Sequence, residues 1–163
     1  MIESMRKLIL ADDLNDDLNK IKLVEHNILK NADLKSTPER TYDFTYGKVL
    51  KVYDGDTITL AVIDCGKLVK YSMRLMGVDT PEIKGGTEET RKKAKEARDF
   101  VHEKIFDKIV EVNILNGKLD ENGKIVKEKY GRLLGRIKID GEDLSELLIS
   151  KNYAKPYFGG TKE

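Results

Sequence analysis

The sequence holds one cysteine, Cys65, and two histidines, His26 and His102, which lie far apart. A lone thiol cannot close an intramolecular disulfide, so the fold must hold without one. Structural zinc sites draw on closely spaced Cys and His, and no such spacing occurs. A histidine-based nuclease centre needs its base beside metal ligands, and neither histidine has that company. Long apolar runs are missing as well: none approaches the roughly 20 residues that a membrane helix requires. The apolar stretch within residues 1–11 is too short for a secretory leader, and acids follow it at once, so the expectation is a cytoplasmic protein with no membrane partner. Excess charge of one sign is also lacking. Thirty Lys and Arg stand against 29 Asp and Glu, a net charge of +1. That argues against tight, nonspecific coating of nucleic acid, yet it leaves room for a local positive cleft built from a few arginines.

What is present suits one compact domain with some additional sequence. The chain has 163 residues, of which 39% are hydrophobic and 36% charged. Residues 1–41 read as a helical extension and linker. Leu14, Leu18, Ile21, Val24 and Ile28 recur at steps of three and four, a helical period, and Ser36-Thr37-Pro38 breaks the pattern. One helix or two fit it. An amphipathic stripe of this kind ordinarily faces a core; the other reading is a protein partner or self-association through residues 1–41.

From residue 42 the signal turns to strands. Residues 45–53, 57–63 and 68–78 are rich in aromatic and β-branched types. They are separated by Asp54-Gly55-Asp56 and by Asp64-Cys65-Gly66-Lys67, which predicts a three-stranded antiparallel meander. Pro81 cannot donate to a ladder, so the chain leaves the sheet there. Residues 87–108 predict a helix with Ala94, Ala97, Val101 and Ile105 inward, and with Glu88 and Glu89 in the first turn. Two further strands are expected at 109–115 and 132–139. A short helix follows, with Leu144, Leu147 and Leu148 inward, and then an extended aromatic segment from 152 to 163. Five strands with a helix between the third and fourth imply an α+β fold: a five-stranded OB-type Greek-key barrel with two or three packed helices, over 42–163. Fold alone does not set function.

Three short blocks carry chemistry. Asp54-Gly55-Asp56-Thr57 is by itself an ordinary turn. In the block Arg74-Leu75-Met76-Gly77-Val78-Asp79-Thr80-Pro81-Glu82, an arginine on a half-buried strand requires a partner or ligand. Strand alternation would put Arg74, Met76 and Val78 on one face. Two acids at the strand exit suit a hard, oxygen-preferring cation. Lys129-Tyr130-Gly131-Arg132 adds a second guanidinium and an aromatic ring.

Taken together, Asp-Gly-Asp-Thr, Arg-x5-Thr-Pro-Glu and Lys-Tyr-Gly-Arg resemble the staphylococcal nuclease (thermonuclease-like) family in order and spacing, over roughly residues 42–157. The resemblance implies a metal-dependent endonuclease acting on DNA and RNA with little sequence specificity, leaving 3′-phosphate ends. It implies Ca²⁺, in preference to Mg²⁺ or Mn²⁺, on the Asp56 and Asp79 carboxylates and the Thr80 carbonyl. Glu82 would orient or deprotonate the attacking water, Arg74 and Arg132 would grip the phosphate, and Tyr130 and Tyr157 would lie against the nucleotide. The pattern also departs from the family: a helical segment precedes the domain, no counterpart of the family's C-terminal helix follows it, and the Lys155-Pro156-Tyr157 stretch is one residue tighter. A cytoplasmic nuclease without specificity endangers its own cell, which suggests that residues 1–41 restrain or direct the enzyme and that its source is a phage or mobile element. The competing reading is a noncatalytic binding module of the same fold, whose members generally lose the acids and arginines retained here.

Overall fold

A computed structural model describes residues 2–158; within that span the side chains of residues 7–10 are left aside. The chain divides into two compact units between Glu39 and Arg40. In the first, a single helix α1 (Ile2–Lys30) runs for 29 residues. Its described side chains are exposed throughout. Asp16 and Lys20, one turn apart, pair at 2.9 Å. No helix among the described residues is long and apolar enough to cross a membrane.

The second unit is built on β1 (Tyr46–Val52), β2 (Thr57–Asp64) and β3 (Lys67–Leu75), an antiparallel meander as the strand pattern predicts. A short β4 (Gly77–Asp79) precedes helix α2 (Glu88–Ile105), whose N-cap Thr87 accepts a hydrogen bond from Thr90 N–H. Capping of this kind satisfies one of the four backbone donors that every helix start leaves over. Then come β5 (Ile109–Ile114), β6 (Leu133–Ile139), β7 (Glu142–Asp143), α3 (Leu144–Ser150) and β8 (Lys155–Tyr157). The barrel order is β3-β2-β1-β5-β6, and parallel pairing of β3 with β6 closes the ring. This is the expected five-stranded α+β barrel.

Inward residues alternate along the strands because the side-chain period is two. Val49, Ile58, Leu60, Met73, Val112 and Ile137 meet in the centre, and α2 closes one end with Val101 and Ile105. All four residues of the expected α2 stripe are buried. Leu144 and Leu148 of α3 are buried as well, while Leu147 is half-buried.

One expectation about the third strand fails. Residues 68–78 do not form one strand: β3 ends at Leu75, and β4 leaves the barrel to pair with β8. Gly77 makes the break with φ of +86°, a conformation that costs glycine little. Arg136 lies against it, so a Cβ at Gly77 would stand 3.1 Å from Nη2. The break reverses the alternation. Val78 turns fully inward beside Leu75 rather than continuing the face of Arg74 and Met76. The expected extended tail is β8 and the residues up to Phe158; the rest of it lies outside the described residues.

Candidate active site

The Asp54-Gly55-Asp56 turn sits where β1 hands over to β2. Tyr53 N–H and Asp54 N–H both donate to Thr57 O, and Leu75 N–H donates to Asp56 O at 2.8 Å, which fastens the turn to the end of β3. Gly55 is required there by close approach. A Cβ on it would stand 2.7 Å from Thr80 Cγ2 and 3.1 Å from Ala97 Cβ, so only glycine lets the turn rest on the Thr80 segment.

Asp56 is the hub. Its Oδ2 accepts from Arg74 Nη1 at 3.1 Å and from Thr80 N–H at 3.2 Å, and its Oδ1 accepts from Thr57 Oγ1 at 3.1 Å. Arg74 faces it because Arg74 pairs with Thr57 in the β2–β3 ladder. The same guanidinium reaches Asp79 Oδ1 at 3.6 Å and donates to Val78 O at 3.3 Å. One arginine is therefore shared by the two acids assigned to metal. Its side chain is 14% exposed and that of Asp56 is 8%.

Asp54, which the sequence suggests is only a turn residue, accepts from Asp56 N–H at 3.2 Å. Burial pushes its carboxyl up to about 6, helped by the negative charge of Asp56. Excess negative charge at a half-buried corner is what a cation would relieve. Other observations test the fit of a hard cation. Thr80 Oγ1 is buried with no hydrogen-bond partner. Near Thr80, Asp56 and Thr57 offer carboxylate and hydroxyl oxygens. Such a set suits Ca²⁺ or Mg²⁺ and not a soft metal. Among the described residues no three Asp, Glu, His or Cys side chains gather closely enough to hold a metal ion between them.

The second guanidinium is held differently. Glu128 Oε1 accepts from Arg132 Nε at 3.0 Å and from Nη2 at 2.7 Å, a two-pronged pairing. Glu128 Oε2 accepts the backbone N–H groups of Tyr130 and Arg132, at 2.7 and 2.9 Å. Burial raises the Glu128 pKa, but these hydrogen bonds from Arg132 and Tyr130 outweigh it and leave the carboxyl below its ordinary range. Gly131, with φ of +72°, lets the loop curl around the acid. Asn116 pins the far side, donating to Arg132 O and accepting from Leu134 N–H. Sequence reasoning missed both residues. A Glu four positions before the arginine was the available signal for Glu128; Asn116 had none.

One open cleft of about 1110 Å³ is lined by Asp56, Arg74, Thr80, Glu82, Tyr130, Arg132 and Tyr157. Asp79 is not among its lining residues; its Oδ1 lies 3.6 Å from Arg74 Nη2. Glu82 is exposed in the cleft, one residue past Pro81. Tyr157 on β8 pairs with Gly77, and its ring lies 5.7 Å from Arg74 Cζ. Arg132 Cζ lies 5.3 Å from the Tyr130 ring. The cleft also gathers Lys129 of the third block and residues outside all three: Tyr53, Lys84, Lys127 and Phe158. Their sum is a wall of lysines and exposed rings around an acidic floor.

The family model described as "Staphylococcal nuclease homologue" matches residues 72–163. A thermonuclease of Staphylococcus hyicus is 31% identical over 137 residues, covering 83% of this chain and 70% of the relative. An uncharacterized protein of Methanocaldococcus jannaschii is 34% identical, covering 72% of this chain and 61% of its own length. An uncharacterized protein of Bacillus anthracis is also 34% identical, covering 66% and 45% respectively. The chain thus spans from under half to about two thirds of these relatives' lengths.

Proposed function

This chain belongs to the staphylococcal nuclease family, and from that premise we propose that it is a metal-dependent endonuclease that hydrolyses phosphodiester bonds of DNA and RNA with little sequence preference. The observation that carries this reading is the meeting of Asp56, Glu82, Arg74 and Arg132 along one cleft. Retention of all four charges argues against a noncatalytic module of the same fold.

Asp56, Asp79 and the Thr80 carbonyl are the residues that would hold the cation, with Ca²⁺ the preferred species. Bound there, a divalent ion neutralises phosphate charge and lowers the pKa of nearby water. The chain's own groups do the rest. Arg132 keeps its planar fork aligned by Glu128 and offers its remaining N–H groups to a phosphate oxygen, as a lysine cannot. Arg74 approaches the same phosphate from the Asp56 side. Glu82 accepts a proton from the attacking water as that oxygen bonds to phosphorus. The bond from phosphorus to the 5′ oxygen breaks, and the departing oxygen takes a proton from solvent. The products are a 3′-phosphate and a 5′-hydroxyl. Tyr130 and Tyr157 supply π-faces for bases, a contact tolerant of sequence.

The test is plasmid and single-stranded substrate incubated with Ca²⁺, Mg²⁺, Mn²⁺ or chelator, with the product ends analysed. Cleavage with Ca²⁺, loss with chelator and 3′-phosphate ends are expected. Glu82→Gln and Arg132→Ala should each lower kcat about 10²-fold or more. Binding without cleavage under every metal would establish a binding module instead.

A further inference from the structure

We propose that Tyr53, with Lys51 beside it, forms an additional nucleotide-binding subsite of this cleft, one that stacks a base on the rim of the Asp54–Asp56 turn. The inference rests on the nucleic-acid reading of the cleft and assigns a subsite none of the three motifs contains.

The placement of Tyr53 follows from an irregularity in β1. Gly47 and Val49 are buried and their neighbours exposed, so an unbroken alternation would carry residues 51 and 53 inward. The pairing with β2 instead slips between Val49 and Lys51. Leu50 and Lys51 are both exposed in consequence, Val52 turns into the core, and Tyr53 emerges on the outside. Bulges next to active sites commonly re-aim a side chain in this way. The slip puts Lys51 and Tyr53 on one face, with Lys51 Nζ 5.8 Å from the Tyr53 ring centroid. The hydrogen bond from Tyr53 N–H to Thr57 O, 2.9 Å long, then holds the residue at the turn that carries Asp56.

The result is an aromatic ring 47% exposed that lines the same cleft as Asp56 and Arg74. Tyr130 and Phe158, each 80% exposed, line it too, but they stand on the loop before β6 and at the end of β8. Tyr53 stands on a different segment. A single strand whose scissile phosphate lies at the two arginines has bases on both sides of that phosphate. Tyr53 offers a platform for one, and the Lys51 ammonium suits the phosphate of the nucleotide stacked there. Stacking of this kind tolerates any base and needs an unpaired strand. The subsite therefore favours single strands long enough to reach it.

The experiment uses the full-length chain carrying Glu82→Gln, to hold substrate intact, with Ca²⁺ and fluorescein-labelled oligothymidylates of two to eight nucleotides at fixed salt, read by anisotropy. Adding Tyr53→Ala is expected to weaken the eight-nucleotide strand roughly 10-fold and to leave the dinucleotide within a factor of about two. Tyr53→Trp should retain tight binding. Repeated over a series of salt concentrations, the measurement should show Lys51→Ala reducing the salt slope of the long strand by about one. Equal affinities at every length with and without Tyr53→Ala would overturn the subsite alone. No binding by the Glu82→Gln parent at any length would overturn the nucleic-acid reading and the subsite with it. A thermal melt of each variant separates lost contact from lost fold.

Discussion

Arg74 on β3 and Asp56, in the turn just before β2, meet Nη1 to Oδ2 at 3.1 Å, both largely shielded from water. A buried pair of this kind is costly to half-remove, because the survivor keeps its charge without its partner. Arg74→Ala is therefore expected to lower melting temperature as well as activity, with kcat/KM down by about 10²-fold or more. Arg74→Lys should recover much of the stability and little of the activity, since an ammonium cannot copy the fork. Melting curves beside oligonucleotide kinetics separate the two effects; full activity in the lysine variant would remove Arg74 from the phosphate grip.

Glu128 gives a prediction with a pH signature. Its folded-state pKa lies below the ordinary value, so it contributes stability that is complete above the unfolded carboxylate pKa and fades as pH falls through the lowered one. Glu128→Gln should melt below wild type at neutral pH, with the gap closing toward strongly acidic pH. Activity should fall too, because Arg132 loses the two-pronged pairing that sets its plane. A pH series of melting temperatures, with and without the substitution, checks the first part. A pH-independent gap would contradict it.

Asp54 runs in the opposite direction. Its carboxyl is raised to about 6, so the folded protein binds its proton more tightly than the unfolded chain does. Stability is then lost as pH rises from about 4 to about 6, and the cost is full above that window. Asp54→Asn, which keeps an acceptor for Asp56 N–H, should stabilise the protein at pH 7.5 in chelator and do little near pH 4. Added Ca²⁺ should shrink the wild-type penalty. A calorimetric comparison at the two pH values decides; equal effects at both would refute the assignment.

Residues 1–39 are a compact unit of their own, and among the described residues the buried hydrophobic core runs from Val49 to Leu148. Removing 1–39 is therefore expected to leave the main unfolding transition of the barrel in place. If the segment restrains or directs the enzyme, its removal should raise plasmid cleavage or change the assembly state. Unchanged activity, substrate choice and sedimentation would leave it with neither role.

How much was legible in the sequence depended on how local the cause was. β2 and β3 could be read because Thr57 to Asp64 alternates cleanly and a tight turn follows. The break at Gly77 could not, because Arg136, some sixty residues on, is packed against it. The acids and arginines of the three blocks were legible as motifs, and the structure sets most of them along one cleft. The pairing of Asp79 with Arg74 was not foreseen, since it depends on a guanidinium shared between residues of β3 and β4. Tyr53 escaped notice for a similar reason: a slip of pairing with β2 decides which way it points, and no pattern within β1 announces that slip.

The parallel seam between β3 and β6 pairs Arg74 with Leu134, two residues from Arg132. The two guanidiniums thus meet at one of the barrel's two long-range joins, between segments about sixty positions apart in the chain; the other is β1 with β5. Long-range joins of this kind form late and slowly compared with hairpins. A nascent chain that has emerged only as far as β5 carries the Asp56 turn, Arg74 and Glu82 but lacks Arg132. On the proposed mechanism cutting power waits for the segment that carries Arg132 to dock against β3. Recovery of cleavage during refolding is then expected to lag formation of the β1–β3 meander.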